Sequence, residues 1–521
     1  MDRIEFKTGA ELTVSARALD GEGRGVCAGE YRKNAAADIG VYGNYSAGAS
    51  DGRVIFVKGL LPAERARVRL TDVRPAYATA EILEITEASG DRIEPACRYY
   101  GKCGGCAYMH VPYSRELEYK RQAIGEAFRR IAGMPGAAVK PVIGDLNGDK
   151  SDFRARYRNK GQYAFKDGKF GFYAQGSHDI LEIGDCLLQK IHNRDILSVL
   201  SAWAEENPEA AAGLNNAVIR TGEATGEVVI ILNYSAEGWN GANLAGRMFR
   251  ESGGRGITWR VAGALGNYGG LSLRSVAVNE WRYPGGRGRR SAPRLAASFT
   301  PYGNGVFNER SGAYKFRVSH GAFMQINTIA AEKLFGVALD FAAPLPGDLA
   351  LDLYCGVGTV ASYIAGKAKT VVGVEISGEA VKNARENAAL NGLNNLMFIE
   401  ADANKIKASA YGAAKLSASA YGAAKITAPI YGAAVNAAKE LRNPDIITLD
   451  PPRSGCGGAL IDSIAKLGAK RVVYISCNPA TLARDAALLV SKDAGYRVSA
   501  IQPVDLFPRA SSVETVVLFE K

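Results

Sequence analysis

Three patterns of apolar and polar positions follow one another along the chain. In residues 1–88 the two kinds alternate in short runs such as "ELTVSARAL" and "ERARVRLTDV", separated by breaks that contain Gly or Pro. Alternation of this kind is typical of strands with one buried face, so the region predicts a small β-barrel. Residues 31–50, rich in Ala, Gly, Ser and Asn, interrupt the pattern and predict a long loop.

The other two patterns predict larger units. Residues 89–320 combine cysteine-rich loops, the helix-like "SRELEYKRQAIGEAFRRIAG" and β-like runs such as "GEVVIILNY", which indicates a mixed α/β middle domain. In residues 321–521 short apolar runs alternate with helical patterns, and this predicts a doubly wound, Rossmann-like, mostly parallel sheet. Ligands of such sheets bind beyond the carboxyl ends of the strands.

Composition agrees with several folded domains. The chain has 521 residues, of which 47% are apolar and 22% charged, and these values favour neither a disordered nor a fibrous protein for the whole chain. It contains no long apolar run and no recognisable leader, so we expect a cytoplasmic protein that does not cross a membrane. No obligate protein partner is inferred.

The charge points to a polyanionic partner. The net charge of +11 favours nucleic acid slightly over no partner. The tract "YPGGRGRRSAPR", residues 283–294, is either a solvated loop or an RNA phosphate contact. Three copies of a Tyr-Gly-Ala-Ala motif between residues 409 and 436 predict a low-complexity surface insertion, with a contact arm as the alternative.

The stretch "LDLYCGVGT", residues 351–359, combines an apolar strand with a Gly-rich turn, and Glu375 ends the next strand. Glycines let the backbone approach a ligand, and an acid at that position suits a ribose diol. A nicotinamide dinucleotide and S-adenosylmethionine both fit this pattern. Because Val360 and Ala361 fill the end of the turn, where the dinucleotide fingerprint has more glycine, the methyl donor is favoured.

Three later strands carry chemically capable groups at the same predicted edge. Asp450 follows "ITL" and could orient a nucleobase edge or an amine of the donor. Cys477 follows "VVYIS", where a thiolate could attack an electron-poor ring if a cation lowered its pKa. Glu514 precedes the last apolar run and could act as a general base. Each of the three also has an ordinary structural interpretation.

Four further cysteines predict a metal centre. Cys97, Cys103 and Cys106 are spaced by five and two residues, and Cys186 follows at a distance. Four thiolates suit a structural zinc ion or an iron-sulfur cluster, and the spacing does not choose between them. The fourth ligand argues for a closed, non-catalytic site.

These features together resemble the RNA uracil-C5 methyltransferases, from about residue 11 to the C-terminus. The matching stretches are "GAFMQIN", "LDLYCGVGT", "LDPPRSG", "SCNPATLARD" and the cysteine set. The N-terminal "EGRGV" and "FVKGLLPAE" resemble a TRAM domain, an OB-like RNA-binding module. The combination is most similar to the branch that acts on 23S ribosomal RNA, because the bacterial tRNA-specific branch typically lacks the barrel and the cluster.

The resemblance implies a role for each matching residue. Cys477 would add to C6 of uracil and Glu514 would remove the C5 proton. The cysteines at 97, 103, 106 and 186 would hold a 4Fe-4S cluster. The residues implied around the donor S-adenosyl-L-methionine and the target are Gln325, Tyr354, Thr359, Glu375, Asp402 and Asp450.

Two positions depart from the family pattern, and two other functions compete. Thr359 stands where asparagine is more common, and Ser512 stands where histidine is usual. These departures and the repeat insertion motivate one alternative, a non-catalytic RNA-binding protein that retains the fold. The same chemistry on tRNA is a second alternative. A cytosine-C5 methyltransferase is disfavoured, since "SCNP" carries the only cysteine at the predicted edge and "DPPRSG" lacks the second cysteine of that class.

Overall fold

A computed structural model describes seven stretches of the chain, residues 6–29, 53–145, 155–235, 257–282, 294–405, 443–491 and 495–521. The loop predicted at 31–50, the repeat at 409–436 and all but the last residue of the basic tract lie outside these stretches.

The N-terminal strands form a closed barrel in the order β1-β2-β3-β5-β4. Alternate side chains such as Val14, Ile55 and Val68 point inward and are fully buried, as the alternating sequence pattern requires. The predicted small β-barrel is confirmed. Its strands are β1 (Glu11–Leu19), β2 (Arg24–Gly29), β3 (Val54–Lys58), β4 (Arg65–Val73) and β5 (Tyr77–Glu87).

A second, seven-stranded sheet occupies the middle of the chain, in the order β12-β11-β10-β9-β6-β7-β8. A two-stranded hairpin, β13 and β14, follows it and leads toward the third unit. The strands are β6 (Lys160–Lys166), β7 (Lys169–Tyr173), β8 (Ile180–Glu182), β9 (Leu214–Thr221), β10 (Glu227–Ser235), β11 (Ser272–Arg282), β12 (Arg294–Tyr302), β13 (Val306–Ser311) and β14 (Tyr314–Ser319). The helices are α2 (Asn193–Glu206), α3 (Pro208–Ala211) and α4 (Ile257–Gly266).

The third unit is a seven-stranded sheet in the order β17-β16-β15-β18-β19-β21-β20. Its first five strands are parallel, and β21 runs antiparallel to both of its neighbours. Its strands are β15 (Leu349–Leu353), β16 (Thr370–Glu375), β17 (Leu396–Glu400), β18 (Ile446–Leu449), β19 (Arg471–Ser476), β20 (Arg497–Val504) and β21 (Glu514–Glu520). Its helices are α5 (Thr328–Ala342), α6 (Thr359–Ala365), α7 (Gly378–Leu390), α8 (Gly458–Leu467) and α9 (Pro479–Ser491).

Apolar side chains project from both faces of this sheet, and each face packs into its own hydrophobic core. Val472 and Tyr474 point into the core that contains α8 and α9, whereas Val473 and Ile475 point into the core that contains α5 and α6. Burial on both faces explains why the strands read as continuous apolar runs. The predicted doubly wound sheet is confirmed.

Helix α1 (Tyr113–Arg130) lies within the range assigned to the middle domain but packs on the C-terminal sheet. Leu117, Ile124 and Phe128 belong to the same core as α8 and α9. The chain after α1 continues along β20, where the amide of Ile143 donates to the carbonyl of Pro503 at 2.9 Å. In the described parts of the chain, the helices are all too short or too polar to cross a bilayer.

Candidate active site

The topology of the C-terminal sheet brings the ends of three strands together. Asp450 directly follows β18 and Cys477 directly follows β19, and these strands are parallel neighbours. Glu514 is the first residue of β21, which is antiparallel to β19 and pairs Thr515 with Ser476. The start of β21 therefore lies at the same edge as the ends of β18 and β19.

Hydrogen bonds tie together the two loops that follow these strands. The amide of Asn478 donates to Ser476 Oγ at 3.1 Å, which turns the chain sharply after β19. Asn478 Nδ2 and Thr481 Oγ1 both donate to the carbonyl of Arg453, at 3.0 and 3.2 Å. Pro479 then begins α9, a position that proline favours. The loop of Cys477 and the loop of Arg453 thus form one unit.

Cys477 is half-buried and lies near charged groups that have opposite effects on the pKa of its thiol. Burial raises the pKa of its thiol, and the nearby carboxyls of Glu514 and Asp450 raise it further. Arg453 lowers the pKa through its charge and through a hydrogen bond to the thiol. Arg453 is therefore the cation that a reactive thiolate needs.

Glu514 is 3% exposed and has an unusual environment. Its Oε2 atom has no hydrogen-bond partner among the described residues. Burial and the charge of Asp450 hold the pKa of the Glu514 carboxyl well above its usual range, and Arg453 opposes them. A buried carboxyl with a free oxygen beside a thiol can exchange a proton with a bound ligand.

Two aspartates continue the acidic group toward β15. Asp352 lies within β15, where Thr448 Oγ1 donates to its Oδ1 at 2.6 Å and its Oδ2 has no partner among the described residues. Burial raises the pKa of Asp352 to about 7. Burial and the charge of Asp352 together raise the pKa of Asp450 to about 7 as well. These buried acids favour a cationic ligand group.

A cavity opens beside Asp352 and Asp450, and four of the six residues predicted around the donor line it. They are Gln325, Tyr354, Thr359 and Asp450. Glu375 ends β16 and Asp402 lies two residues after the end of β17, at the same edge, but neither is among the lining residues of the cavity. Glu375 instead accepts hydrogen bonds from the amides of Gly356 and Ser377, at 3.2 and 2.8 Å, and so shapes the Gly-rich turn.

The two departures from the family pattern lie at this site. Thr359 is the first residue of α6 and lines the cavity. Ser512 Oγ lies 3.5 Å from Arg453 Nη2, a distance at the limit of a hydrogen bond. Ser512 is therefore next to the cation that contacts Cys477.

Three residues of the site were not singled out by the sequence reasoning. Arg453 lies in the quoted "DPPRSG" motif, but its spacing from Cys477 gives no sign of contact. Asp352 interrupts the apolar run "LALDLYC", and a lone acid inside a buried strand is a usable signal. Phe323 lines the cavity although 66% of its surface is exposed, which only the structure could show.

The four upstream cysteines lie around a second cavity of about 640 Å³. All four are free thiols, and Lys58 and Arg158 line the same cavity. Among the described residues, no three His, Cys, Asp or Glu side chains are grouped closely enough to hold a single metal ion. The predicted ligands Cys97, Cys103, Cys106 and Cys186 are therefore brought to one place, but without the arrangement of a mononuclear site.

Comparison with known proteins agrees with this architecture. A sequence profile of the tRNA (uracil-5-)-methyltransferase family matches residues 304–521. An uncharacterised RNA methyltransferase of Clostridium acetobutylicum is 31% identical over 495 residues, which cover 92% of this chain and 95% of that protein. Another, from Caldanaerobacter subterraneus, is 32% identical over 486 residues, which cover 91% and 94%.

A solved structure has a similar fold along almost the entire chain. It is the tRNA (uracil-54, C5)-methyltransferase of Pyrococcus abyssi in complex with S-adenosyl-L-homocysteine. The TM-score is 0.64 at 19% identity, and the match covers 98% of this chain and 99% of that one. Together with the relatives over 30% identical, these matches place the chain in the S-adenosylmethionine-dependent RNA uracil-C5 methyltransferase family.

Proposed function

We propose that the protein methylates C5 of a uridine in RNA through a covalent adduct with Cys477, and that Glu514 is the general base. The observation that carries this proposal is the meeting of Cys477, Arg453 and Glu514 at one sheet edge, beside the cavity that Asp450 and Gln325 line.

The proposed reaction uses each group once. Uracil C5 is a poor nucleophile, so the Cys477 thiolate first adds to C6 and creates an enolate. C5 of the enolate then attacks the sulfonium methyl group of the donor, and the C–S bond of the donor breaks. Glu514 takes the C5 proton, the bond between C6 and sulfur breaks, and the thiolate leaves as the aromatic ring is restored.

The donor is proposed to lie in the cavity beside the Gly-rich turn. Gln325, Tyr354, Thr359, Glu375, Asp402 and Asp450 would contact it, as the family resemblance implies. Asp352 adds a buried carboxyl whose free oxygen suits a cationic donor group. Phe323 offers an exposed ring on which a target base can stack once it has left its helix or loop stack.

We propose 23S ribosomal RNA as the substrate and tRNA as the second candidate. The ribosomal assignment rests on the barrel and the four cysteines, which the family resemblance associates with that branch. The Pyrococcus abyssi enzyme, which is similar along the chain, acts on tRNA uracil 54, and this observation favours the second candidate.

We propose a separate function for each of the three regions of the chain. Residues 1–88 would bind RNA as a TRAM-like barrel, residues 89–320 would hold the cysteine centre, and residues 321–521 would carry out methyl transfer. Helix α1 of the middle region packs into the core of the C-terminal sheet, so we expect residues 321–521 alone to be unstable.

A 4Fe-4S cluster is proposed at Cys97, Cys103, Cys106 and Cys186. Four free thiols line one cavity, and the family resemblance associates this cysteine set with a cluster of this type. Lys58 and Arg158 supply positive charge on the cavity wall. With four protein ligands the cluster would have no open iron and would act structurally.

Two experiments test these proposals. Mapping 5-methyluridine in ribosomal RNA and tRNA from cells with and without the gene should show one or more ribosomal positions lost. Loss in tRNA alone would transfer the activity to the second candidate, and no loss in either would overturn the proposed function. Anaerobically purified protein should be brown and contain iron and sulfide, whereas stoichiometric zinc would refute the cluster.

A further inference from the structure

The segment that leads to Glu514 is held by charges buried inside the protein. It runs from Asp505, which follows β20, to Val513, which precedes β21. Lys120 of α1 is fully buried and donates to Asp505 Oδ1 at 2.7 Å and to the carbonyl of Phe507 at 3.1 Å. Because the lysine and its partners are buried and hydrogen-bonded to each other, they hold the segment in one specific position.

Glu116, one turn before Lys120, connects the same charges to the next part of the segment. Lys120 Nζ donates to Glu116 Oε1 at 2.8 Å, and the amide of Arg509 donates to that same oxygen at 2.7 Å. The Arg509 guanidinium donates to the carbonyl of Val111 at 3.0 Å and lies 3.4 Å from Glu116 Oε2. Arg509 adopts a left-handed conformation with φ of 71°, which these contacts on both sides maintain.

Arg509 also joins this segment to the loop of the upstream cysteines. Its carbonyl accepts hydrogen bonds from the amides of Ala107 and Tyr108, at 2.8 and 3.0 Å. Ala107 directly follows Cys106, which lines the cavity of the cysteine centre. Arg509, which is part of the segment before Glu514, therefore contacts both α1 and the loop after Cys106.

We propose that Glu116, Lys120, Asp505 and Arg509 form a positioning network, which fixes the Glu514 carboxyl beside Cys477 and couples its position to the backbone of the Cys106 loop. The inference rests on the proposed function of Glu514 as the base. None of the four residues lines the cavity beside Asp450, so they act on the reaction through the segment 505–513.

The network should affect one step of the reaction. Addition of Cys477 and methyl transfer proceed without a base at C5, whereas removal of the C5 proton and release of the thiolate need Glu514 in place. A positioned general base contributes roughly 10²–10⁴-fold to rate, so a displaced carboxyl should slow elimination by about tenfold or more. The methylated covalent adduct between protein and RNA should then accumulate.

The test compares Arg509→Met with a matched control. Arg509 is 19% exposed and pairs with a fully buried carboxylate, so its loss is less disruptive than loss of Lys120. Arg471 is also 19% exposed and pairs with the buried Asp348, at the opposite end of β19 from Cys477. Arg471→Met removes a comparable ion pair from the same sheet without touching the segment before Glu514.

Single-turnover reactions with labelled donor are resolved on denaturing gels, which separate methylated adduct from free methylated RNA. Arg509→Met should increase the adduct at least about tenfold over wild type at equal folded protein, Arg509→Lys should partly reverse this, and Arg471→Met should leave it unchanged. If Arg509→Met forms product and adduct in the wild-type ratio, the positioning network is refuted. If wild type transfers no methyl group at all, the proposed function has failed instead.

Hydrogen exchange tests the coupling to the cysteine loop without using activity. The amides of residues 505–507 and 509–513 should exchange about tenfold or more faster in Cys106→Ser than in wild type. Loss of this proposed cluster ligand should loosen the loop whose Ala107 and Tyr108 amides donate to the Arg509 carbonyl. Unchanged exchange in this segment, with faster exchange confined to the cysteine loop, would show that the two are independent.

Discussion

Arg220 gives a sharp test of how the protein holds the loop at residues 323–325, which lines the proposed donor cavity. It lies on β9 of the middle sheet, is 3% exposed, and stacks on Phe307 with 4.7 Å from the guanidinium carbon to the ring centre. Its Nη1 donates to the carbonyls of Ala322 and His320, at 2.7 and 3.0 Å. Ala322 immediately precedes Phe323 and His320 lies three residues before it, so we predict that Arg220→Met releases the loop.

The effect of Arg220→Met on the free energy of unfolding follows from these contacts. Two hydrogen bonds from a charged donor contribute roughly 3 to 6 kcal/mol together. Burial opposes this contribution: it lowers the pKa of Arg220 to about 10, which corresponds to a penalty of roughly 3 kcal/mol for keeping the guanidinium charged inside the protein. The substitution should therefore reduce the free energy of unfolding by only about 0 to 3 kcal/mol. The loop should lose its fixed position all the same, since methionine cannot donate to its carbonyls.

The assay separates folding from function. We expect a modest fall in the thermal unfolding temperature, together with a higher KM for the donor and a kcat/KM reduced by up to about 10²-fold, as for a misplaced binding group. Arg317→Met is the control, because Arg317 is 43% exposed and lies 3.8 Å from Glu386, an ion pair worth at most about 1 kcal/mol. Unchanged kinetics in Arg220→Met, despite lower stability, would refute the role of Arg220 in holding the loop.

Three further predictions concern the proposed catalytic groups. Cys477→Ala should abolish both the adduct and methyl transfer, whereas Glu514→Gln should retain adduct formation and lose product. Denaturing gels would separate the adduct from the product. If Glu514→Gln lost the adduct as completely as Cys477→Ala does, the separate roles would be contradicted. Arg453→Gln should move the acidic limb of the rate profile to higher pH, because Arg453 lowers the pKa of Cys477, and an unmoved limb would exclude that effect. Donor binding near pH 7 should release protons, because Asp352 and Asp450 have pKa values of about 7 and a bound cation favours their ionised forms. Calorimetry in two buffers of different ionisation enthalpy measures this release. No proton release would show that both carboxyls are already ionised before the donor binds.

The sequence could predict the position of Asp450 and Cys477 because both depend on local signals. Each follows an apolar run of β type, and the carboxyl ends of parallel strands share an edge. Glu514 is different, since its strand begins rather than ends at that edge. Only the antiparallel direction of β21 brings Glu514 to Cys477, and the apolar run after Glu514 does not encode that direction.

Contacts between distant parts of the chain could not be predicted. Lys120 and Asp505 are 385 positions apart, and each alone reads as an ordinary surface charge. Lys120 can be buried on α1 because the carboxylate of Asp505, which comes from a distant part of the chain, compensates its charge. The same limit applies to the four cysteines, whose types and spacing indicate a metal centre but not the distances between their sulfur atoms.

The charges around Cys477 predict that the donor must bind before the proposed reaction can start. Asp450 and Glu514 lie close enough that each raises the pKa of a neighbouring acidic group, and Arg453 is the cation that opposes them. Without a further positive charge, both the thiol and the Glu514 carboxyl favour their neutral forms, which are the unreactive ones. A sulfonium group bound in the proposed donor cavity would bring that charge to the acidic edge and would lower both pKa values. The reactive thiolate and the ionised base would then form together with the donor already in place, so that addition to uracil is followed by methyl transfer rather than by simple reversal.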